Sequence, residues 1–394
     1  MGNERLKFAI WRHENSIGNS AEQVIALAKY LKEKDIKKPE IYVEKQFQKD
    51  FVLCIPDIEE EDVFFFPQGV IQDQETLKRY VETSNKNLHI PNCYTGFKNQ
   101  YPGTWSYIGS GDGLNVTLEF DEKNYENKFN LPKDAIVVFY RERGTWNKRG
   151  DGDAFENHRF VQVAPFFNLI YHFADKGHKV VKIGDRNQLP IPGTYLPSSN
   201  GMIIQTDNII DFTKYVDSFG RPMWTMKDYL FLFKYCKLFI SCDAGVWPMV
   251  AGLRKNLVFC NVTSCYRTTP NFIYRKGKDT NGETVYEAID WVYKHDGLHE
   301  PGEDITNSPD GTFPYEPEKK YYKVNYSQIY SWMPKETTRV LKKEWTLYDS
   351  KESFPEDQGA AGFQIPGPAP NTNVWASLLD TPTEDIIKAA EDFL

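Results

Sequence analysis

A chain of 394 residues is long for one core, and a prior of roughly 100–200 residues per domain gives two or three units. Hydrophobic residues at 40% and charged residues at 26% are the balance of an ordinary globular protein, which excludes a disordered or fibrous class. The net charge of −8 argues against nucleic acid as the main partner, because such proteins usually carry a basic face, though it leaves room for a local basic groove.

Cys54, Cys93, Cys236, Cys242, Cys260 and Cys265 form no C-x-x-C pair. Several sit in apolar runs, as expected of buried thiols in a reducing compartment. No Cys/His cluster suits zinc, so no metal ligand is assigned. The chain opens into a strand-like run with no charged-then-apolar leader. No apolar stretch approaches the ~18 residues of a membrane span. A cytoplasmic protein without a membrane span is therefore expected, with the sequons at Asn115, Asn261 and Asn325 unused.

In chain order, residues 6–11 read as a buried strand and Arg12 to Asn19 as a polar loop. Ser20 to Lys34 follows as an amphipathic helix, with Val24, Leu27, Ala28 and Leu31 at helical spacing and Ser20 as N-cap. Strand-like runs recur at Glu40–Val43 and Asp62–Phe66, the opening of a parallel α/β sheet. The Gly-, Asn- and Tyr-rich stretch 95–130 marks a domain boundary. A second series begins with the apolar strand Asp134–Tyr140. It continues through a helix over 160–176 closed by Gly177, then strands at 178–183 and 202–205. A helix at 226–234, a strand at 238–241, a helix at 246–253 and a strand at 257–260 complete it. Pro and Gly clusters break up residues 266–394 until a final helix, with Thr381 as its cap and Pro382 at its first position.

Three loops carry candidate chemistry. Arg141-Glu142-Arg143-Gly144 follows a buried strand, where open α/β sheets place their ligands. Arg141 and Arg143, with Lys148, Arg149 and Arg159 nearby, suit bidentate clamping of a diphosphate. A solvated loop of Arg–Glu pairs is the competing reading. Ser241-Cys242-Asp243-Ala244-Gly245 lies between strand and helix, with small residues that admit a phosphate to the backbone and a helix dipole worth about 0.3–1 kcal/mol per charge. The competing reading is a tight turn with Asp243 as cap. The loop Arg12–Asn19 lacks a dinucleotide fingerprint, which disfavours an epimerase or dehydrogenase. It offers Glu14 and His13 as general bases, against the ordinary reading of surface residues.

In this order the loops resemble a GT-B glycosyltransferase, distantly similar to the heptosyltransferases and to a group of little-characterised bacterial and viral glycosyltransferases. Ser16-Ile17-Gly18-Asn19 resembles the family's acceptor-facing loop. Val138 to Arg143 with Asn157-His158-Arg159 is similar to its strand, loop and helix with an arginine pattern. Lys176 to Asp185 resembles the next strand and its Gly-Asp turn, and Trp224 to Gly245 the donor-phosphate loop. The likeness covers roughly 6–31 and 134–262. It implies two facing Rossmann-like domains with an inter-domain cleft: an acceptor domain over 1–125, a nucleotide-sugar domain over 126–265, and an irregular extension over 266–394. It implies a nucleotide-sugar donor at Arg141, Arg143, Arg159, Asp185, Ser241, Asp243, Ala244 and Gly245, and a hydroxyl acceptor at Gly18 and Asn19. Heptosyltransferases carry an Asp base after the first-loop Gly; here that position is Asn19, so the base moves to Glu14, then His13, with Glu22 inside the helix as a third choice.

The expected activity is sugar transfer, of the hexosyl- or pentosyltransferase class, with arginines and a helix dipole in place of a metal and no further cofactor. Two alternatives stand beside it. One is a phage-type enzyme glycosylating modified DNA bases, for which the lysines at 29, 32, 34, 37 and 38 leave room. The other is a non-catalytic nucleotide-sugar binder.

Overall fold

The computed structural model describes residues 5–10, 17–66, 88–89, 116–142, 161–192, 207–242, 245–262, 271–278, 284–291, 334, 336–342, 344–348, 363–366 and 373–394. The protein is mixed α/β with two all-parallel sheets. The first is built from β1 (Lys7–Ile10), β2 (Glu40–Val43), β3 (Val63–Phe65) and β4 (Leu88–His89), in the order β3-β2-β1-β4. The second uses β5 (Ile136–Phe139), β6 (Val180–Ile183), β7 (Ile209–Asp211), β8 (Leu238–Ser241), β9 (Leu257–Val262) and, much later, β12 (Thr338–Lys342). Its order is β12-β9-β8-β5-β6-β7. Counted from its own first strand, each sheet runs outward one way for three strands and then switches to the other side. The second sheet thus has the doubly wound order, with its switch point between β5 and β8.

The strands are apolar throughout because both faces are covered. Val137 and Phe239 turn into one core, Ile136, Val138 and Ile240 into another, all of them fully buried. Helix α1 (Ile17–Glu33) places Ala21, Val24, Ile25, Ala28 and Leu31 in the first core. It begins three residues earlier than Ser20, so Ser20 is not its cap. The Ser20 hydroxyl is buried inside the helix and accepts from Gln48 Nε2 at 3.2 Å. Gln48 belongs to α2 (Gln46–Val52), a helix too short to show in hydrophobic periodicity. Helix α3 (Val163–Asp175) ends as expected at Gly177, whose φ of +87° lets the chain turn while His178 N donates to Phe173 O at 3.0 Å. Helices α4 (Met226–Tyr235) and α5 (Trp247–Gly252) flank β8. The strand expected at 202–205 lies outside the described residues; β6 pairs with β5 on one side and with β7 on the other.

Residues 266–394 are more regular than their Pro and Gly clusters suggest. They hold an antiparallel pair, β10 (Asn271–Lys278) and β11 (Thr284–Trp291), and a three-stranded sheet of β13 (Glu344–Tyr348), β14 (Phe363–Pro366) and β15 (Asn373–Leu379). Helix α6 (Thr383–Glu391) buries Ile386, Ala389 and Ala390 against α3 in the second core. Pro382, not Thr381, is its N-cap. Thr381 instead pairs with Asn261: its N–H donates to Asn261 Oδ1 at 2.7 Å, and its hydroxyl accepts from Asn261 N at 3.2 Å. Asn261 is buried, so that sequon is closed to modification in the fold.

One apolar cluster runs through both sheets, from Phe8 and Leu27 to Phe239 and Phe259. The segment before β5 ties them together. Leu118 N donates to Gly252 O at 2.9 Å and Glu119 N to Cys54 O at 2.8 Å. A Cβ on Gly252 would lie 2.6 Å from Leu118 Cδ1 and 3.5 Å from Ile25 Cδ1, so α5, the segment and α1 meet at one point. Tyr125 continues the strap, stacking on Phe231 at 5.0 Å and donating to Asp228 Oδ1 at 3.0 Å. The thiols of Cys54, Cys236, Cys242 and Cys260 are all buried. Burial pushes the Cys236 thiol up to about 12, which keeps it protonated and unreactive. Among the described residues, no helix is long and apolar enough to cross a membrane.

Leu118→Ala is expected to cost about 2–5 kcal/mol through the cavity it leaves. Urea unfolding followed by both fluorescence and circular dichroism should shift as one coincident transition. Two separated transitions would mean that the sheets unfold independently.

Candidate functional site

The switch point of the second sheet opens between the carboxyl ends of β5 and β8, from which the Arg141 loop and the loop 242–245 emerge. These two strand ends are cross-linked. Cys242 N donates to Phe139 O at 3.2 Å, and Arg141 N donates to Cys242 Sγ at 3.1 Å. Gly245 adopts φ +73°, and a Cβ there would lie 2.6 Å from the Phe139 ring. Only glycine fits this point on both counts. On its other side stands the first turn of α1: a Cβ on Gly18 would lie 2.7 Å from Gly245 O. The first turn of α1 and the last residue of the loop leaving β8 therefore meet.

A second wall is the turn after β6. Gly184 accepts close contact from the Gln188 side chain, and its N–H and C=O both meet the Tyr229 hydroxyl at 3.2 Å. Asp185 Oδ1 accepts from Asn187 N at 2.7 Å, so this carboxylate shapes the turn. Gln188 Nε2 donates to Tyr140 O at 2.5 Å. Beneath lies a cluster of charges. Lys182, fully buried in β6, donates to Leu189 O at 2.5 Å and lies 3.5 Å from Asp211 Oδ2. Asp211, its register partner in β7, also accepts from Ile191 N at 3.1 Å and Thr213 Oγ1 at 2.5 Å. Glu142 Oε2 accepts from Leu189 N at 2.8 Å, and Lys214 Nζ donates to Arg186 O at 2.7 Å and to Gln188 O. Burial lowers the pKa of Lys182 and of Lys214, with Asp211 opposing the shift in both.

Of the expected site residues, the structure brings Gly18 and Gly245 into contact and sets Arg141 and Asp185 on adjacent strand ends. Ser241 is fully buried, and its hydroxyl donates to Cys242 O at 2.9 Å, so it serves the strand end. Glu22 is buried in α1. His13, Glu14, Arg143, Lys148, Arg149, Arg159, Asp243, Ala244 and the Asn19 side chain lie outside the described residues. So does Asp151-Gly152-Asp153, an Asp-x-Asp pair in the loop after β5. Glu142 turns inward and is buried rather than solvated; the rest of that loop lies outside the described residues. Phe139, Cys242, Gln188, Tyr229 and the charge cluster were missed by sequence reasoning; the one visible signal was a lysine inside the apolar run Val180–Ile183. The five lysines near the first helix differ in setting, with Lys32 and Lys34 exposed at its end. Lys29 is buried, Lys37 pairs with Asp35 at 2.8 Å, and Lys38 faces Glu59 and Glu61.

No family model and no curated protein matches the chain. Among solved structures it is distantly similar to ADP-heptose lps heptosyltransferase II of E. coli, at 10% identity and a TM-score of 0.40 over 65% of this chain and 84% of that one. It is similar to a family 9 glycosyl transferase from Veillonella parvula DSM 2008, at 12% identity and a TM-score of 0.38, covering 65% and 82%. It is also similar to the E. coli heptosyltransferase WaaC with ADP-2-deoxy-2-fluoro heptose, at 10% identity and a TM-score of 0.37, covering 67% and 90%.

Helix propensity alone favours Ala at Gly18 by about 0.5–1 kcal/mol. The backbone carbonyl facing it reverses the sign, so Gly18→Ala should lose about 1–3 kcal/mol in chemical denaturation, as overpacked sites do. A stabilised Gly18→Ala protein would separate the two loops.

Lys182 binds its proton less tightly folded than unfolded, so between the two pKa values the native state holds fewer protons, and this residue's contribution to stability improves as pH rises. Lys182→Met removes that slope. The unfolding free energy of the native protein minus that of the variant should grow from pH 8 to pH 10.

Proposed function

We propose that the chain is a glycosyltransferase that moves a sugar from a nucleoside diphosphate to a hydroxyl acceptor. The observation that carries this reading is the contact of Gly18 with Gly245. It brings the first turn of α1 against the end of the loop after β8, at the switch point of the second sheet; to this we add that the two candidate bases, which precede this turn in sequence, reach the same edge. A transferase needs these two things in one place: cationic and backbone donors for a leaving diphosphate, and a base for the incoming hydroxyl.

In this reading the acceptor oxygen attacks the anomeric carbon of the donor. A new C–O bond forms, the bond from that carbon to the diphosphate oxygen breaks, and the nucleoside diphosphate leaves with the electron pair. The hydroxyl proton passes to Glu14 or, failing that, His13. Arg141, joined by Arg143 and Arg159, meets the charge that develops on the leaving group. The N–H groups of the loop 243–245 add to this. Gly18 and Asn19 border the acceptor. We place the donor on the second α/β unit and the acceptor on the first, in the GT-B manner, and assign no metal.

The alternatives have less support. Lys29 is buried and acidic residues face Lys37 and Lys38, which with the net charge of −8 disfavours a DNA backbone as acceptor. A pure binder has no use for a second loop against the donor site.

Arg141→Ala should weaken nucleoside diphosphate binding by about 1.5–3 kcal/mol in calorimetry, the worth of a charged hydrogen bond. Arg141→Lys should recover only part, lacking the bidentate fork. Glu14→Gln should keep that binding and lose about 100- to 10,000-fold in turnover. Turnover should survive EDTA. Loss restored by Mg²⁺ or Mn²⁺ would assign a cation to Asp151 and Asp153. Unchanged affinity in both Arg141 variants would make the arginine loop structural.

A further inference from the structure

We infer that Glu142 is the positioning residue for Arg141, acting without touching the substrate; this rests on the donor role proposed above for Arg141. The backbone from Tyr140 to Glu142 is held at every polar group for which a bond is described. Tyr140 O accepts from Gln188 Nε2 at 2.5 Å, Arg141 N donates to Cys242 Sγ at 3.1 Å, and Arg141 O accepts from Val161 N at 3.0 Å. These partners come from three separate places in the fold: the turn after β6, the end of β8 and the segment leading into α3. Glu142 supplies the side-chain anchor. Its carboxylate accepts from Leu189 N at 2.8 Å and is buried, and its charge supports the protonated form of both Lys182 and Lys214.

The geometry explains why this anchor controls Arg141. Glu142 bridges Val161 in parallel, so the backbone here is extended, and successive side chains on extended backbone leave on opposite sides. With Glu142 sunk under the turn 184–191, the alternation sends the Arg141 side chain out on the face opposite the cluster. The anchor is mutual. Leu189 N is held by Glu142 and Leu189 O by Lys182, while Lys214 holds Arg186 O and Gln188 O. The turn carrying Asp185 and the strand end carrying Arg141 are thus one unit, and Glu142 is its only carboxylate described as bonding the turn from β5. An anion site built this way presents its guanidinium with little ordering left to do on binding.

The test is a double-mutant cycle, with Glu142→Ala and Glu142→Gln each made in the native and the Arg141→Ala background. ADP, UDP, GDP and CDP serve as calorimetric probes, and hydrogen exchange of peptides covering 138–142 and 184–191 is followed without ligand. Glu142→Gln keeps an acceptor for Leu189 N but loses the charge facing Lys182 and Lys214, so its affinity and exchange should fall between native and Glu142→Ala. Glu142→Ala should speed exchange in both peptides. It should weaken the best-bound nucleotide about tenfold or more when Arg141 is present and less than about twofold when it is absent, the non-additivity of residues acting as a unit. Equal losses in both backgrounds, or unchanged exchange in Glu142→Ala, overturn this inference alone. A native protein that binds none of the four nucleotides overturns the donor reading, and this inference with it.

Discussion

The structure turns on a close approach that only glycine permits. Gly18, in the first turn of α1, lies so near the carbonyl of Gly245 that a methyl group would intrude at 2.7 Å. Gly245 in turn sits on the Phe139 ring with a left-handed backbone. A third glycine, Gly252, lets α5 close on Leu118 and Ile25 farther along. Between them these contacts set α1 of the first sheet against α5 of the second. The apolar cluster shared by both sheets fills in behind. The first turn of α1 and Gly245 are held together once those contacts are made.

The site is accordingly more rigid than a pair of surface loops would be. Its two walls, at the ends of β5 and β6, are joined by side-chain bonds to backbone groups, and the charges that do this, three buried and Lys214 half-buried, are in near balance. Lys182 and Lys214 oppose Asp211 and Glu142. A buried pair of this kind adds little net stability compared with apolar packing, because desolvation offsets most of the attraction. Its value lies in specificity: each charge has one arrangement that satisfies it, and that arrangement fixes the turn. Under the proposed function, a turn and strand end held in advance leave less ordering to subtract from affinity on binding.

Much was legible in the sequence. The strands at 40–43 and 238–241 fall at the expected residues, and the helix over 163–175 closes at Gly177 as anticipated. These follow from local physics: continuous apolar runs for covered parallel strands, helical spacing for one-sided helices, and glycine where φ must be positive. Arg141 was placed at a strand's carboxyl end by the same reasoning, since strand and loop are neighbours in sequence. The caps at Ser20 and Thr381 were misread. A small hydroxyl residue before a helix satisfies backbone donors in isolation, but here Gln48 and Asn261 offer competing partners from far along the chain.

The sequence by itself determined that the chain is α/β, where its main strands lie, and that polar loops follow β1, β5 and β8. It could not determine which loops meet. Strand order is a property of crossovers between segments tens of residues apart, and the switch point between β5 and β8 exists only once β6 and β7 have gone one way and β8 and β9 the other. The same holds for β12, which returns from beyond residue 330 to pair with β9. The inward turn of Glu142, the pairing of Lys182 with Asp211, and the contact of Gly18 with Gly245 were likewise decided by tertiary structure. Each depends on a partner that local propensity cannot name, and burial makes each choice nearly exclusive, because a charge without its partner, or a methyl without its space, is too costly there.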